Sequence, residues 1–326
     1  MSSDSSRRAR QRSQVDLEGL ERRTLLSSAQ VATVNHPAAA SVAGGVRALM
    51  NLTYPGDGGR PQKFDLYVPA GPAPAGGRPV VLALPGGGWR WVRRGDLGAS
   101  VAQLAKFGYV VAVADYTYSS GAPGSSAWPA DINDVRNAVR YLKANAGRYG
   151  IDPNRFAVWG ESAGGHLANL LGTDPDPTPA AAPRPGRGHT LDGVSAKVQA
   201  VVDFYGPTDL TKLYAESSNA APYLITYLGG RPDQFPDRYR DASPVTHVNS
   251  TDPPFLIEQG IGDTTVPPDQ AAELATALKA AGVPYHVDVY VAGHGFRFQP
   301  QRGLNILPNI LAFLDKALNH GGAGIS

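Results

Sequence analysis

Residues 160–164 read Gly-Glu-Ser-Ala-Gly. The pattern G-x-S-x-G is what a sharp strand-to-helix turn needs if it is to lift a serine hydroxyl clear of the backbone. The flanks suit that reading, since RFAVW (155–159) is a short apolar run typical of a buried strand and residues 163–171 read as a helix. Gly160 and Gly164 leave room where side chains would collide. Ser162 is therefore the candidate nucleophile. A glycine-rich turn with an incidental serine would carry the same five letters, so the assignment depends on the rest of the chain.

A serine hydroxyl is a weak nucleophile. It needs a base, an acid to orient that base, and hydrogen-bond donors for the oxyanion it creates. The donors have a candidate in LPGGGW (84–89), which follows the third strand and can approach a substrate closely through its glycines. Gly87 and Gly88, with the N–H of Ala163 at the helix start, form the expected oxyanion hole, each donor worth about 3 kcal/mol in the transition state. Asp263 stands just past the strand FLIEQ and before a helix, which makes it the expected acid. Asp209 is the runner-up and Asp203 also competes, whereas Glu258 falls inside the strand. Of the seven histidines, His294 in VAGHGF occupies the loop between the last strand and the last helix and is the expected base. His36, His189, His247, His286 and His320 fall in the leader, the proline-rich loop, a mixed region, the last strand and the C-terminal end. His166 follows Ser162 by one helical turn and should pack beside the elbow.

These residues need a scaffold with strand ends gathered at one edge. VRALMNLTY and KFDLYVP flank a turn, and RPVVLAL, YVVAVADY, RFAVWG, VQAVVDFYG, FLIEQG and HVDVYV follow as further strands. Helical spacing appears over 96–108, 131–150, 163–171, 269–282 and 304–318. Continuously apolar strands alternating with helices predict an α/β protein with a largely parallel sheet. Residues 173–193 form a long proline-rich loop, and 209–250 are mixed and aromatic. Residues 1–45 read as a polar, basic, disordered leader or a targeting segment, 46–320 as the catalytic domain and 321–326 as a flexible tail.

Composition narrows the function classes. The 326 residues are 42% hydrophobic and 18% charged, with a net charge of +2, so neither nucleic acid nor an anionic membrane is indicated as a partner. There is no cysteine, which excludes thiol catalysis, Cys-ligated zinc and disulfides. No apolar run reaches membrane-span length, and neither a dinucleotide fingerprint nor a P-loop occurs. No metal or other cofactor is expected.

The chain resembles the α/β-hydrolase carboxylesterases of the esterase/lipase type, BD-FAE and hormone-sensitive-lipase-like enzymes of bacteria. The resemblance runs from about residue 46 to 318. It is carried by PGGGW, FGYVVAVADY, the stretch from WPADIND to GESAGGHLANLLG, VQAVVDFYGPTDL, ASPVTHV, DPPFLIEQGIGDTTVP and VAGHGF. It implies an eight-stranded, mostly parallel sheet with helices on both faces and no large lid domain. It also implies Ser162, Asp263 and His294 as catalytic residues, with Gly87, Gly88 and Ala163 as the oxyanion hole. Two positions depart from the family pattern. Pro85 stands where a histidine usually precedes the glycines, and Thr117 stands where an arginine usually follows Asp-Tyr. Separately, LEGLERRTLLS near the N-terminus resembles the LEPR-XLL motif of some bacterial proteins, which implies export; a cytoplasmic location is the alternative.

The function expected on these grounds is hydrolysis of small carboxylic esters, acetylated-sugar and hydroxycinnamoyl esters among them. An amidase or formamidase using the same residues remains open, as does a non-catalytic binding protein on a hydrolase scaffold. A neutral imidazole is required, so activity should fall below the free imidazole pKa of about 6.5. Trp89, Tyr116, Trp128, Tyr205 and Phe296 are the expected pocket aromatics, with Trp91, Tyr118, Tyr214 and Tyr223 in segments that reach the same edge. The oligomeric state is not legible.

Overall fold

The structure is a computed structural model that describes residues 45–57, 60–122, 125–177, 191, 193–296 and 306–319. The leader with its LEGLERRTLLS segment, most of the proline-rich loop and the C-terminal tail lie outside the described residues.

Eight strands form one sheet: β1 (Val46–Tyr54), β2 (Gln62–Pro69), β3 (Arg78–Leu84), β4 (Val110–Ala114), β5 (Ile151–Glu161), β6 (Ala200–Phe204), β7 (Phe255–Gly260) and β8 (Tyr285–Tyr290). Their spatial order is β1-β2-β4-β3-β5-β6-β7-β8. β1 and β2 pair antiparallel, β2 runs antiparallel to β4, and every later pairing is parallel. This is the α/β-hydrolase fold. β3 to β7 are apolar on both faces because helices cover both. One core layer gathers Val80, Leu82, Phe156, Val158 and Leu171. The other gathers Val81, Ala83, Val111, Trp159 and Leu314. Burying both faces of β4 takes each of its five residues out of water, which explains why its sequence, VVAVA, shows no polar alternation.

The helices are α1 (Arg94–Val101), α2 (Ala130–Ala144), α3 (Ala146–Tyr149), α4 (Ala163–Thr173), α5 (Leu210–Glu216), α6 (Ala221–Leu228), α7 (Pro236–Asp241), α8 (Asp269–Ala281) and α9 (Leu307–Asn319). Two of the expected helices and one strand differ from the sequence pattern. The helix expected over 96–108 is α1 followed by a 3-10 segment, Ala102–Phe107, that ends at Gly108 with φ +96°. Gly98 lies against the Tyr67 hydroxyl, where a Cβ would come within 2.8 Å, so close packing on β2 costs this helix a good helix former. The helix expected over 131–150 divides at Asn145 into α2 and α3. β5 starts four residues early, and its register with β3 shifts between Arg78 and Val80, where Pro153 has no N–H to give the ladder.

The mixed region 209–250 supplies α5, α6, α7 and a 3-10 turn. Their apolar faces gather Leu210, Leu213, Leu224, Tyr227 and Tyr239 against Trp89 and Ala163. This small roof sits directly over the elbow. Among the described residues, no helix is long and apolar enough to cross a membrane.

Candidate active site

Ser162 joins β5 to α4 with φ 54° and ψ −118°, a strained conformation for a residue with a Cβ. Two hydrogen bonds hold it there. Its N–H donates to Phe204 O at 2.9 Å, and its carbonyl accepts from the His166 N–H at 2.9 Å. The two glycines of the motif are needed for space: a Cβ on Gly160 would lie 2.1 Å from Gly164 O, and one on Gly164 would lie 2.1 Å from Leu84 O.

Ser162 Oγ lies 2.9 Å from His294 Nε2, and His294 Nδ1 lies 2.6 Å from Asp263 Oδ2. The other Asp263 oxygen accepts from the N–H groups of Thr265 and Val266, both at 2.8 Å. The Asp263 side chain is fully buried, while a quarter of the His294 side chain is exposed. The Tyr205 ring packs edge-on against the imidazole, with centroids 4.9 Å apart. The competing carboxylates have other tasks. Asp203 accepts from Asn169 Nδ2 at 2.8 Å and from the Gly206 N–H at 2.9 Å, and burial pushes its pKa up to about 6. Asp209 caps α5 by accepting from the Lys212 N–H at 2.9 Å. Glu258 is buried within β7.

The loop after β3 turns through successive left-handed residues: Gly87 (φ 145°), Gly88 (φ 57°) and Trp89 (φ 55°). A Cβ on Gly87 would meet Trp91 O at 2.0 Å, and one on Gly88 would meet the Tyr223 ring at 2.5 Å. Among the described residues, neither glycine N–H enters a backbone hydrogen bond. Both remain available to a ligand. With Pro85 in place of histidine, the loop is braced from two other directions. The buried Tyr116 hydroxyl donates to Pro85 O at 2.6 Å. Trp89 Nε1 donates to His166 Nδ1 at 3.2 Å, and His166 Nε2 donates to Ala242 O at 2.6 Å. These partners fix the tautomer, because indole only donates and a carbonyl only accepts. His166 thus ties the elbow helix, the glycine loop and the roof together, while Trp89 stacks on Tyr227 with centroids 4.4 Å apart.

The second departure also has a replacement. The Thr117 N–H and hydroxyl donate to Asp134 Oδ2 at 2.7 and 2.6 Å, joined by Gln62 Nε2 at 3.0 Å. A carboxylate of α2 therefore holds the loop after β4. Arg94 pairs with Asp65 and Asp115 nearby.

His166 is fully buried, and burial pushes its pKa down to about 4. Its unfolded form titrates near 6.5, so the unfolded state binds the extra proton and stability falls as pH drops from about 6.5 towards 4. Buried Asp131, Asp134 and Asp203, pushed up to about 8, 6 and 6, act in the opposite direction. A comparison of wild type with His166→Asn cancels those carboxyls. In urea unfolding, the stability difference between the two proteins is expected to move by about 2–3 kcal/mol between pH 7 and 4.5, with the wild type losing more on acidification. A constant difference would mean that His166 does not stay neutral in the folded protein over this range.

A cavity of about 490 Å3 opens onto Ser162 and His294, lined by the 86–88 glycines, Trp89, Trp91, Tyr205, Tyr223, Leu213, Ala220 and Val266, with Arg93, Asp96 and Asn219 as polar groups. Trp89 and Tyr205 stand where the sequence placed them. Tyr116, Trp128 and Phe296 do not line the cavity. Tyr116 is a core residue under the glycine loop. Trp128 packs edge-on to Tyr227, with centroids 6.3 Å apart. Phe296 is buried among Phe204, Tyr205 and Tyr290. The apolar wall contributed by Leu213, Ala220 and Val266 was absent from the expected set, and Leu213 and Ala220 come from the region without clear periodicity.

Fold and site together define the class, an α/β-hydrolase with a serine at its strand-to-helix elbow. The chain belongs to the BD-FAE family, whose profile matches residues 64–278. Among similar proteins, the probable carboxylic ester hydrolase LipM of Mycobacterium tuberculosis is 33% identical over 229 residues, 69% of this chain and 50% of that protein. Esterase LipC of the same organism is 34% identical over 223 residues, 67% of this chain and 53% of that protein. The chain spans about half the length of these curated relatives. Among solved structures, a thermophilic esterase of Thermogutta terrifontis, Est2, superposes with a TM-score of 0.63 at 26% identity, covering 83% of this chain and 92% of that one. A truncated carbohydrate esterase from gut microbiota shares the fold, with a TM-score of 0.69 at 24% identity over 84% of this chain and 96% of that one.

Proposed function

We propose that the protein is a serine carboxylesterase acting on small carboxylic esters. The observation that carries this reading is the continuous hydrogen-bonded path from Ser162 through His294 to buried Asp263, open to a cavity beside unengaged glycine N–H groups. His294 Nε2 takes the proton of Ser162 as Oγ attacks the ester carbonyl. Asp263 keeps the remaining imidazole proton on Nδ1 and balances the imidazolium charge. The N–H groups of Gly87, Gly88 and Ala163 receive the oxyanion, the last from a helix N-terminus. The alcohol leaves with the proton from His294. Water then attacks the acyl-enzyme by the same route and frees the acid and Ser162.

The cavity bears on size. Leu213, Ala220 and Val266 give it an apolar wall that suits a small acyl group, and Arg93, Asp96 and Asn219 bring polar side chains to the lining, which suits an alcohol such as a sugar. The similarity to proteins described as esterases supports the same reaction class. The test is kcat/KM across p-nitrophenyl esters of increasing chain length, with an acetylated sugar, a methyl hydroxycinnamate and a matching anilide alongside. Acetyl to butyryl esters should be preferred, with a decline of at least about tenfold past C10 in a cavity of this size. A preference for the longest chains, or for the anilide, would overturn the proposal.

A further inference from the structure

At the opposite end of β3 from the glycine loop lies a second cavity of about 440 Å3, with Arg47, Arg78, Arg148, Tyr149, Gly71 and Gly150 among its lining residues. Arg47 comes from β1, Arg78 opens β3, and Arg148 lies on α3 just before β5. Three arginines from three elements thus line one cavity, and no aspartate or glutamate is among its lining residues. β3 alone separates it from the glycine loop by roughly 20 Å.

Arg78 is the informative member. It is 7% exposed. Among the described residues, the other buried or half-buried arginines, Arg94, Arg136, Arg140 and Arg155, each pair with an aspartate. Arg78 pairs with none. Its Nη2 donates to the carbonyls of Gly71 and Pro72 at 3.0 and 2.8 Å, which hold the group in place without neutralising it. Nη1 lies on the Gly150 side, and a guanidinium has further donors at Nη1 and Nε. The nearby Asp152 is engaged by Arg155, whose Nη2 also donates to Gly77 O. Burial without an opposing charge holds the Arg78 pKa below its usual value. Arg148 is steadied over the Tyr149 ring at 5.4 Å.

Burying a guanidinium costs free energy that a counter-charge would recover, and arginine forks match tetrahedral oxyanions in both charge and geometry. We propose that this cavity binds a small oxyanion, a phosphate or sulfate group on a molecule no larger than a disaccharide, at a site separate from Ser162.

Calorimetric titration of the full chain at low ionic strength tests the idea with two probes, inorganic pyrophosphate and a sulfated disaccharide. Saturable one-to-one binding of either is expected, weakened at least about tenfold in Arg47→Ser/Arg148→Ser. Both of those side chains are exposed, so the fold should survive, and p-nitrophenyl acetate hydrolysis should match wild type. Arg78→Met should weaken binding further, with circular dichroism checking that it folds. Tighter binding of pyrophosphate assigns a phosphate ligand, and the reverse a sulfate. Absence of saturable heat with both probes up to about 10 mM, or wild-type binding by the double variant, would overturn the proposal. An inactive Ser162 would leave it untouched.

Discussion

Ser162→Ala is expected to lower kcat/KM for p-nitrophenyl acetate by at least about 10⁴-fold, into the range that oxyanion donors and binding alone sustain. Among the described residues, Ser162 Oγ is the hydroxyl hydrogen-bonded to His294 Nε2. The fold should be unaffected, because the elbow is held by the backbone bonds of Ser162 to Phe204 and His166 rather than by its hydroxyl. Thermal unfolding within a few degrees of wild type, with activity gone, is the expected pair of results. Retention of the original rate would remove Ser162 from the chemistry.

The second large effect concerns Asp263→Asn. The replacement is nearly isosteric and can still accept from the Thr265 and Val266 N–H groups. Its amide would then face His294 Nδ1 with a donor where a carboxylate had accepted. The imidazole would be driven to carry its proton on Nε2, pointing at Ser162 and unable to take a second one. A fall in kcat of about 10⁴-fold is expected. Asp209→Asn is the control. Asparagine caps a helix as well as aspartate does, so α5 should be retained and activity should stay within a few-fold of wild type. If Asp209→Asn were the damaging substitution, the acid would have been misassigned.

The residues of the hydrogen-bonded path from Ser162 through His294 to Asp263 could be named from the sequence because each is pinned by a local rule. An elbow serine needs flanking glycines, and an acid and a histidine at strand ends need only the order of elements. The central strands β3 to β7 were legible for a similar reason, being apolar on both faces. The pocket was not. An aromatic residue at a strand's carboxyl edge is placed by sequence, but which way its ring points depends on neighbours far along the chain. Tyr116 turns inward to Pro85, and Phe296 turns onto Phe204 and Tyr205. The roof helices are short, seven and eight residues for α5 and α6, too short for a periodic signal, so Leu213 and Ala220 left no mark. The His166 position beside the elbow follows from its spacing of one turn. Its bond to Trp89 spans 77 residues of sequence and could only come from the folded chain. The same holds for Thr117 and Asp134, which stand in for the arginine the family pattern leads one to look for.

The proposed reaction requires Ser162 to become covalently acylated. The direct measurement is peptide mass spectrometry after titration with a fluorophosphonate, followed in parallel by residual esterase activity. A single adduct is expected on the peptide carrying Ser162, with activity lost in proportion to its occupancy and no labelling in Ser162→Ala. Complete inactivation with Ser162 unmodified, or full activity with Ser162 fully labelled, would contradict it.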